Sequence, residues 1–167
     1  MKKENLTKLV KKTSLILVLI FGISTLFTAC RKDDDGPGIP DVKKSNYKIT
    51  VTLNNVTLED LVSISAVGSS GDLDDSTTWK INGEEQIGQS GISIEEKNFI
   101  GSTKTYVIES IKPLYSISSS VQIINSKYDY DDTEIEMSYK IEKNGEIKLE
   151  ENRNIEVGDD FTKYYDF

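Results

Sequence analysis

Two short acidic segments contain the side chains best suited to bind a metal ion. Residues 71–77 read Gly-Asp-Leu-Asp-Asp-Ser-Thr and residues 128–133 read Tyr-Asp-Tyr-Asp-Asp-Thr, so both repeat the order Asp, apolar, Asp, Asp, hydroxyl. Ca²⁺ prefers several hard oxygen ligands, which alternating carboxylates supply. If loops at one end of the fold pool their ligands, a Ca²⁺ site would use Asp72, Asp74, Asp129 and Asp131, with Asp159 and Asp160 as further candidates. Solvated turns are the alternative, because the pattern lacks the glycine and closing glutamate of an EF-hand loop.

The composition limits the catalytic chemistry. The chain has no histidine and one cysteine, which excludes a Ser-His-Asp triad, a Cys-His pair and a zinc site built from histidine and cysteine. A carboxylate-dependent glycan hydrolase remains an alternative, but 28 acidic residues specify no particular pair. We therefore expect a protein that is not an enzyme. The net charge of −8 would repel phosphates, so no nucleic-acid partner is expected.

The first 29 residues follow the plan of a secretory signal. Five lysines lie in residues 1–12, an uncharged and largely apolar segment spans residues 13–29, and that segment ends with Thr28-Ala29. A basic start, an apolar middle and small residues at the cut define such signals. A transmembrane anchor would need about 20 apolar residues, and this segment is shorter. Residues 1–29 are therefore predicted to be removed.

The residues around the cysteine extend this interpretation. Leu26-Phe27-Thr28-Ala29-Cys30 resembles the lipobox of bacterial lipoprotein precursors, although Phe27 stands where leucine is usual. The resemblance implies that Cys30 is acylated, becomes the first residue and attaches the protein to a membrane. Each buried CH₂ contributes about 0.8 kcal/mol, so more than one acyl chain gives stable anchoring. Loss of residues 1–29 would change the net charge from −8 to −12.

Residues 30–45 have the composition of a flexible acidic tether, with two prolines and two glycines. Lys32, Asp33 and Asp34 resemble the export signal of Bacteroidota surface lipoproteins, in which an acidic run follows the acylated cysteine. This resemblance implies an outer-membrane location facing the cell surface; a plain solvated spacer is the alternative. Asp75-Ser76-Thr77 resembles the acceptor for O-glycosylation in the same bacteria, with Ser76 as the modified residue.

Residues 46–167 alternate between apolar and polar side chains, as β-strands with one buried face do. About eight or nine short strands predict one antiparallel β-sandwich, immunoglobulin-like or similar. Asn82-Gly83 and Asn144-Gly145 predict tight hairpins, and Trp79 and Ile141 are predicted to face the core. Residues 57–61 are predicted to form one helical turn at most.

Three classes of function are consistent with these features. The first is an outer-membrane lipoprotein, exposed at the cell surface, whose sandwich binds a glycan or a protein without catalysis. The second is a small lipoprotein that acts as an inhibitor, an immunity protein or an accessory subunit. The third is the glycan hydrolase. No cofactor other than Ca²⁺ is expected.

Overall fold

The computed structural model describes residues 43–72, 74–127 and 133–167. Cys30, Lys32, Asp33 and Asp34 lie outside the described residues, as do Asp129 and Asp131. Within these three ranges, no helix has the length and apolar character needed to cross a membrane.

The described residues form ten β-strands and one short 3₁₀ turn, Glu96–Asn98. The strands are β1 (Tyr47–Asn54), β2 (Leu61–Ser69), β3 (Trp79–Ile81), β4 (Glu84–Glu85), β5 (Gly91–Glu95), β6 (Lys104–Ser110), β7 (Ser116–Ile124), β8 (Ile135–Lys143), β9 (Glu146–Ile155) and β10 (Asp160–Asp166).

The strands are arranged in two antiparallel sheets. The order is β4-β3-β6-β1-β8-β9 in the six-stranded sheet and β10-β7-β2-β5 in the four-stranded sheet. Inward side chains of both sheets form one apolar core. The predicted all-β antiparallel sandwich is confirmed.

Alternation along the strands accounts for the core. In β1, Tyr47, Ile49, Val51 and Leu53 are all buried, and the residues between them are partly exposed. Such a period of two places successive side chains on opposite faces of a sheet.

The two side chains predicted to face the core are fully buried. Trp79 and Ile141 are each 0 % exposed. The Trp79 indole donates a hydrogen bond to the carbonyl of Ser90 at 2.9 Å, so its polar atom is satisfied. A Cβ on Gly68 would lie 2.9 Å from the Trp79 ring, and a glycine is therefore needed beneath it.

Both predicted hairpins are confirmed. Asn82 and Gly83 have φ of 50° and 86°, and Asn144 and Gly145 have φ of 53° and 80°. Positive φ at both central residues is the requirement of a type I′ turn, whose twist matches that of the flanking strands. The turns join β3 to β4 and β8 to β9.

The alternation did not identify every strand correctly. It missed β6 and β10, and it placed Ile147 and Leu149 on one face of β9. A bulge opposite Ile141 and Glu142 shifts the register, so Ile147 is 52 % exposed whereas Leu149 packs against the core. One extra residue reverses the side-chain direction of the rest of a strand.

Both ends of the described fold lie at one end of the sandwich, which we call the tether end. Ser45 and Leu114 exchange two backbone hydrogen bonds of 2.8 Å, so strand-like pairing begins one residue before the predicted domain start. The Tyr47 hydroxyl donates to the carbonyl of Phe167 at 3.3 Å. The opposite end, where β1 stops at Asn54, is called the far end.

Candidate functional site

The first acidic segment is held by a lysine of the protein. The Lys112 ammonium lies 3.0 Å from the Asp75 carboxylate and 3.4 Å from that of Asp72, and it donates to the Asp75 carbonyl at 2.8 Å. The backbone N–H of Asp74 lowers the pKa of Asp72, with a further contribution from Lys112. The N–H of Thr77 and then Lys112 lower the pKa of Asp75. Lys112 therefore neutralises part of the negative charge of this loop.

The strands that precede the two acidic segments stop at opposite ends of the four-stranded sheet. Asp72 and Asp74 follow the β2 residue Ser69, which pairs with the β7 residue Ser116, whereas the segment of residues 128–132 follows Ile124, which pairs with Leu61. Leu61 and Ser69 are the two ends of β2, about 26 Å apart at the rise of an extended strand. The strand ends from which the two segments continue are therefore at opposite ends of the sheet, and Asp129 and Asp131 themselves lie outside the described residues. Among the described residues, no group of three or more acidic or cysteine side chains is placed to hold a metal.

Other acidic residues lie near the end of β7, the strand that precedes the second segment along the chain. Asp160 pairs with Ile124, and the Asp159 carbonyl accepts a hydrogen bond from the Asn125 N–H at 3.0 Å. An Asp60 carboxylate oxygen accepts from the Ser126 N–H at 2.8 Å. Asp60, Asp159 and Asp160 therefore lie near the end of β7 at the far end.

Ser76 lies in the loop between β2 and β3, at the tether end. The residue is exposed, and its carbonyl accepts a hydrogen bond from the Thr78 hydroxyl at 3.0 Å. The position agrees with the accessibility that a modification site needs.

A shallow depression of about 360 Å³ lies at the far end of the six-stranded sheet, and we call it the polar depression. Most of its lining residues belong to the outward-facing set of β1, β8 and β9, and these carry hydroxyl and amide groups. The lining residues are Thr52, Asn54, Thr103, Glu136, Met137, Ser138, Asn152, Arg153 and Asn154.

Hydrogen bonds fix one row of the polar depression. The Asn54 amide donates to Glu136 at 3.2 Å, and its oxygen accepts from the Thr103 hydroxyl at 3.0 Å. The Asn154 amide donates to Glu134 at 2.9 Å. Because these hydrogen bonds fix the Asn54 and Asn154 side chains, the row presents donors and acceptors in fixed orientations.

The adjacent row contains groups that are free to bind a ligand. Thr52 and Thr105 share a hydrogen bond of 2.8 Å. Ser138 pairs with Thr52 on one side and with Asn152 on the other. Within the described ranges, the Ser138 and Asn152 side chains have no hydrogen-bond partner.

The half of this sheet nearest the tether end has a different chemistry. Its outer face carries a row of alternating charges across neighbouring strands, which we call the charged row: Glu85, Lys80, Glu109, Lys48 and Glu142. Lys80 and Glu109 lie 3.2 Å apart. Glu142 pairs with Lys140 at 3.4 Å, so part of the charge in this half is already neutralised by ion pairs.

The outer face of the four-stranded sheet carries mainly short hydroxyls, with the carboxylates of Glu95, Asp160 and Asp166 at strand ends, and we call it the serine face. Ser65 and Ser120 share a hydrogen bond of 2.8 Å. Tyr164 is 78 % exposed and Val67 53 % exposed. The serines of this face are Ser63, Ser65, Ser69, Ser93, Ser116, Ser118 and Ser120.

The aromatic residues divide between packing and exposure. Tyr139 is buried, and its hydroxyl shares a 2.5 Å hydrogen bond with Ser119 of the other sheet. Burial raises the pKa of Tyr139 to about 12. Trp79 belongs to the core. Tyr164 is the most exposed aromatic side chain of the described residues.

Neither the polar depression nor the serine face was predictable from the sequence. The residues of both occupy the polar positions of the alternating pattern, which marks them only as outward-facing. Their grouping depends on strand order, since Asn54 of β1 meets Glu136 of the β8–β9 hairpin only in the folded sheet.

Comparisons with known proteins identify the fold. No protein-family model matches the chain, and no curated protein matches it. The chain is similar to the NMR structure of the calcium-bound form of a protein from Parabacteroides distasonis, with a TM-score of 0.57 and 15 % identity over 80 % of this chain and 99 % of that one. It is also similar to a domain of unknown function, DUF4425, from Bacteroides vulgatus, with a TM-score of 0.56 and 12 % identity over 76 % of this chain and 96 % of that one. A DUF4425 family protein from Bacteroides ovatus gives a TM-score of 0.51 and 9 % identity over 75 % of this chain and 95 % of that one. These likenesses show that the chain shares its fold with β domains of unknown function.

Proposed function

We propose that the protein is a lipid-anchored, surface-exposed lipoprotein of the outer membrane and that its sandwich is a non-catalytic binding module. The observation that carries this proposal is the position of the polar depression. The chain joins the sandwich at the tether end, where Ser45 pairs with Leu114, whereas the depression surrounds Asn54 at the far end.

The length of β1 separates the anchor from the depression. From Tyr47 to Asn54 an extended strand covers about 23 Å. With an acyl group on Cys30, the anchor would join the sandwich at the end opposite the depression. A mature chain of net charge −12 is repelled by anionic lipids, so the body stands off the bilayer and leaves the depression accessible to ligands.

The lining supports binding rather than hydrolysis. Glycosidases use two carboxyl groups on either side of the bond that breaks. Among the residues that line the depression, Glu136 is the one carboxylate, and it accepts a hydrogen bond from Asn54. Its neighbours are amides and hydroxyls, which bind but do not supply a second acid or base.

Labelling and protease treatment of intact cells test the anchor and its location. A fatty-acid probe should label the wild-type protein and leave Cys30→Ala unlabelled. Protease added outside intact cells should remove the body, and replacing Lys32, Asp33 and Asp34 by alanine should protect it. Equal labelling of wild type and Cys30→Ala would overturn the anchor, and a body that resists protease in intact but not in lysed cells would overturn surface exposure.

Ca²⁺ binding at the far end is a second proposed function. It is favoured by the similar fold of the protein from Parabacteroides distasonis, whose structure is of a calcium-bound form, and by Asp159 and Asp160 near the end of β7, the strand that precedes Asp129 and Asp131 along the chain. The loop of Asp72 and Asp74 is the weaker candidate, because Lys112 already pairs with Asp72.

Thermal unfolding tests Ca²⁺ binding. A ligand that binds only the folded state adds about 2.7 kcal/mol at a hundredfold excess over Kd, so millimolar CaCl₂ should raise Tm by several degrees. MgCl₂ should have little effect, because Mg²⁺ retains its water. Asp129→Asn with Asp131→Asn should abolish the shift, and Asp72→Asn with Asp74→Asn, the matched control, should keep it. An equal shift with NaCl of the same ionic strength would indicate screening and overturn the proposal.

Ser76 is proposed as an O-glycosylation site, supported by its exposure. The mass of the protein isolated from its host should exceed the acylated polypeptide mass, and Ser76→Ala should remove the excess. Identical excess mass in both proteins would overturn this assignment.

A further inference from the structure

We propose that the polar depression binds an uncharged, linear oligosaccharide. This inference rests on the proposed binding function and names the ligand class. It is carried by the chemistry and order of the lining side chains, which repeat across neighbouring strands.

The lining side chains match a chain of hydroxyl groups. The lining residues Thr52, Ser138 and Asn152 lie in one row across three adjacent strands, and Thr105, just outside the depression, continues the row on a fourth. Adjacent strands are about 4.8 Å apart, a spacing comparable with the advance per residue of an extended pyranose chain. Amides and hydroxyls both donate and accept, as a sugar hydroxyl requires of its partner.

The site is largely organised before a ligand arrives. Asn54 and Asn154 are held by Glu136 and Glu134, so binding does not have to order them. Such preorganisation lowers the entropic cost of association. Asn152 and Ser138 have no partner within the described ranges, which leaves their polar groups for the ligand.

Charge selects a neutral ligand over an acidic one. The chain has a net charge of −8, and its field repels polyanions. The two charged side chains of the lining, Glu136 and Arg153, are both already bonded, Glu136 to Asn54 and Arg153 to Glu151 at 3.0 Å. A protein partner would instead favour an interface core enriched in aromatic residues, and the lining has no aromatic residue.

The serine face is the rival location for the same ligand. Tyr164 is 78 % exposed there, and an aromatic ring can cover the apolar face of a sugar. The test must therefore separate the two faces, and both carry exposed residues whose replacement leaves the core intact.

Calorimetric titration of the acylated protein, purified from membranes in detergent, tests the inference. The probes are maltohexaose, cellohexaose and xylohexaose, with a hexamer of galacturonic acid as the acidic control. At least one neutral hexamer should bind and the acidic hexamer should not. Asn152→Ala and Ser138→Ala should each weaken binding about tenfold, which is the loss of one well-placed hydrogen bond, while Tyr164→Ala should change Kd less than twofold.

Three outcomes would overturn the inference. No neutral hexamer binds; the acidic hexamer binds more tightly than the neutral ones; or Tyr164→Ala abolishes binding while Asn152→Ala leaves it unchanged, which would move the ligand to the serine face. Circular dichroism melting of each variant shows whether it folds. Labelling at Cys30 and protease exposure are read separately, so a failure of this ligand is distinguishable from a failure of the anchor.

Discussion

The outer faces of the two sheets obey the same alternation and carry different chemistry. The six-stranded sheet presents the charged row near the tether end and the polar depression at the far end. The four-stranded sheet presents the serine face, where short hydroxyls surround Tyr164. The inner faces of both sheets are apolar where they are buried, apart from a few paired polar groups such as Ser119, whereas exposed positions on the same side, such as Lys163, carry charge. Burial therefore selects similar residue types on the two inner faces. The two sheets differ in their outer faces, and so in the ligands that those faces can bind.

The largest predicted effect tests whether stability comes from the shared core rather than from either outer face. Trp79→Ala should lower the free energy of unfolding by about 3–5 kcal/mol, because it empties a fully buried site. Tyr164→Ala on the serine face should cost less than about 0.5 kcal/mol, since exposed substitutions are nearly neutral. Urea denaturation measures both. Similar losses for the two variants would contradict the comparison.

A pH titration tests the polar contact that joins the two sheets. Tyr139 has a pKa raised from 10.0 to about 12 by burial, so the folded state holds the phenolic proton more tightly than the unfolded state does. Its contribution to stability is full below pH 10 and is lost as pH rises towards 12, by about 2–3 kcal/mol. Denaturation at pH 9 and pH 11.5 should show a larger loss in wild type than in Tyr139→Phe. Equal losses would show that the Tyr139 hydroxyl does not contribute to the pH dependence of the free energy of unfolding.

The charged row and the serine face should respond differently to an added carboxylate. Lys48→Glu would place three like charges side by side with Glu109 and Glu142 and should cost about 1 kcal/mol, reduced by salt. Ser69→Glu, whose cross-strand neighbour is Ser116, should cost less and depend less on salt. Denaturation at low and high NaCl measures both variants. If the loss of stability in Lys48→Glu did not depend on salt, electrostatic repulsion in the charged row would not be its cause.

The smallest effect concerns the Lys112 contacts at the tether end. The pKa values of Asp72 and Asp75 are lowered from 3.8 by backbone N–H groups and by Lys112, so their contribution is present above pH 3.8 and is lost as pH falls further. Lys112→Met should lower Tm slightly at pH 7, and the difference from wild type should disappear near pH 2. The groups are exposed, which keeps the effect small. A difference that persists at pH 2 would indicate a packing role for the lysine stem.

The sequence determined the features that depend on neighbouring residues. The alternation in β1 and β8, the burial of Trp79 and the turns at Asn82-Gly83 and Asn144-Gly145 were all predictable, because side-chain direction and positive φ are local properties. The same local rules failed at Ile147, where a bulge against β8 reverses the side-chain direction. They missed β6, because its half-buried residues carry no clear period.

The tertiary structure alone decided which distant residues meet. The polar depression joins Asn54 of β1 to Glu136 and Asn154 of the β8–β9 hairpin, which is about 80 residues away along the chain and meets β1 only in the sheet. The acidic segments look alike in sequence, yet the strand ends that precede Asp72 and Asp129 lie at opposite ends of β2. Strand order and register arise from burying one common core, and no local pattern encodes them. For that reason the sequence by itself indicates a leader, a tether and a sandwich, and the fold decides where a ligand can bind.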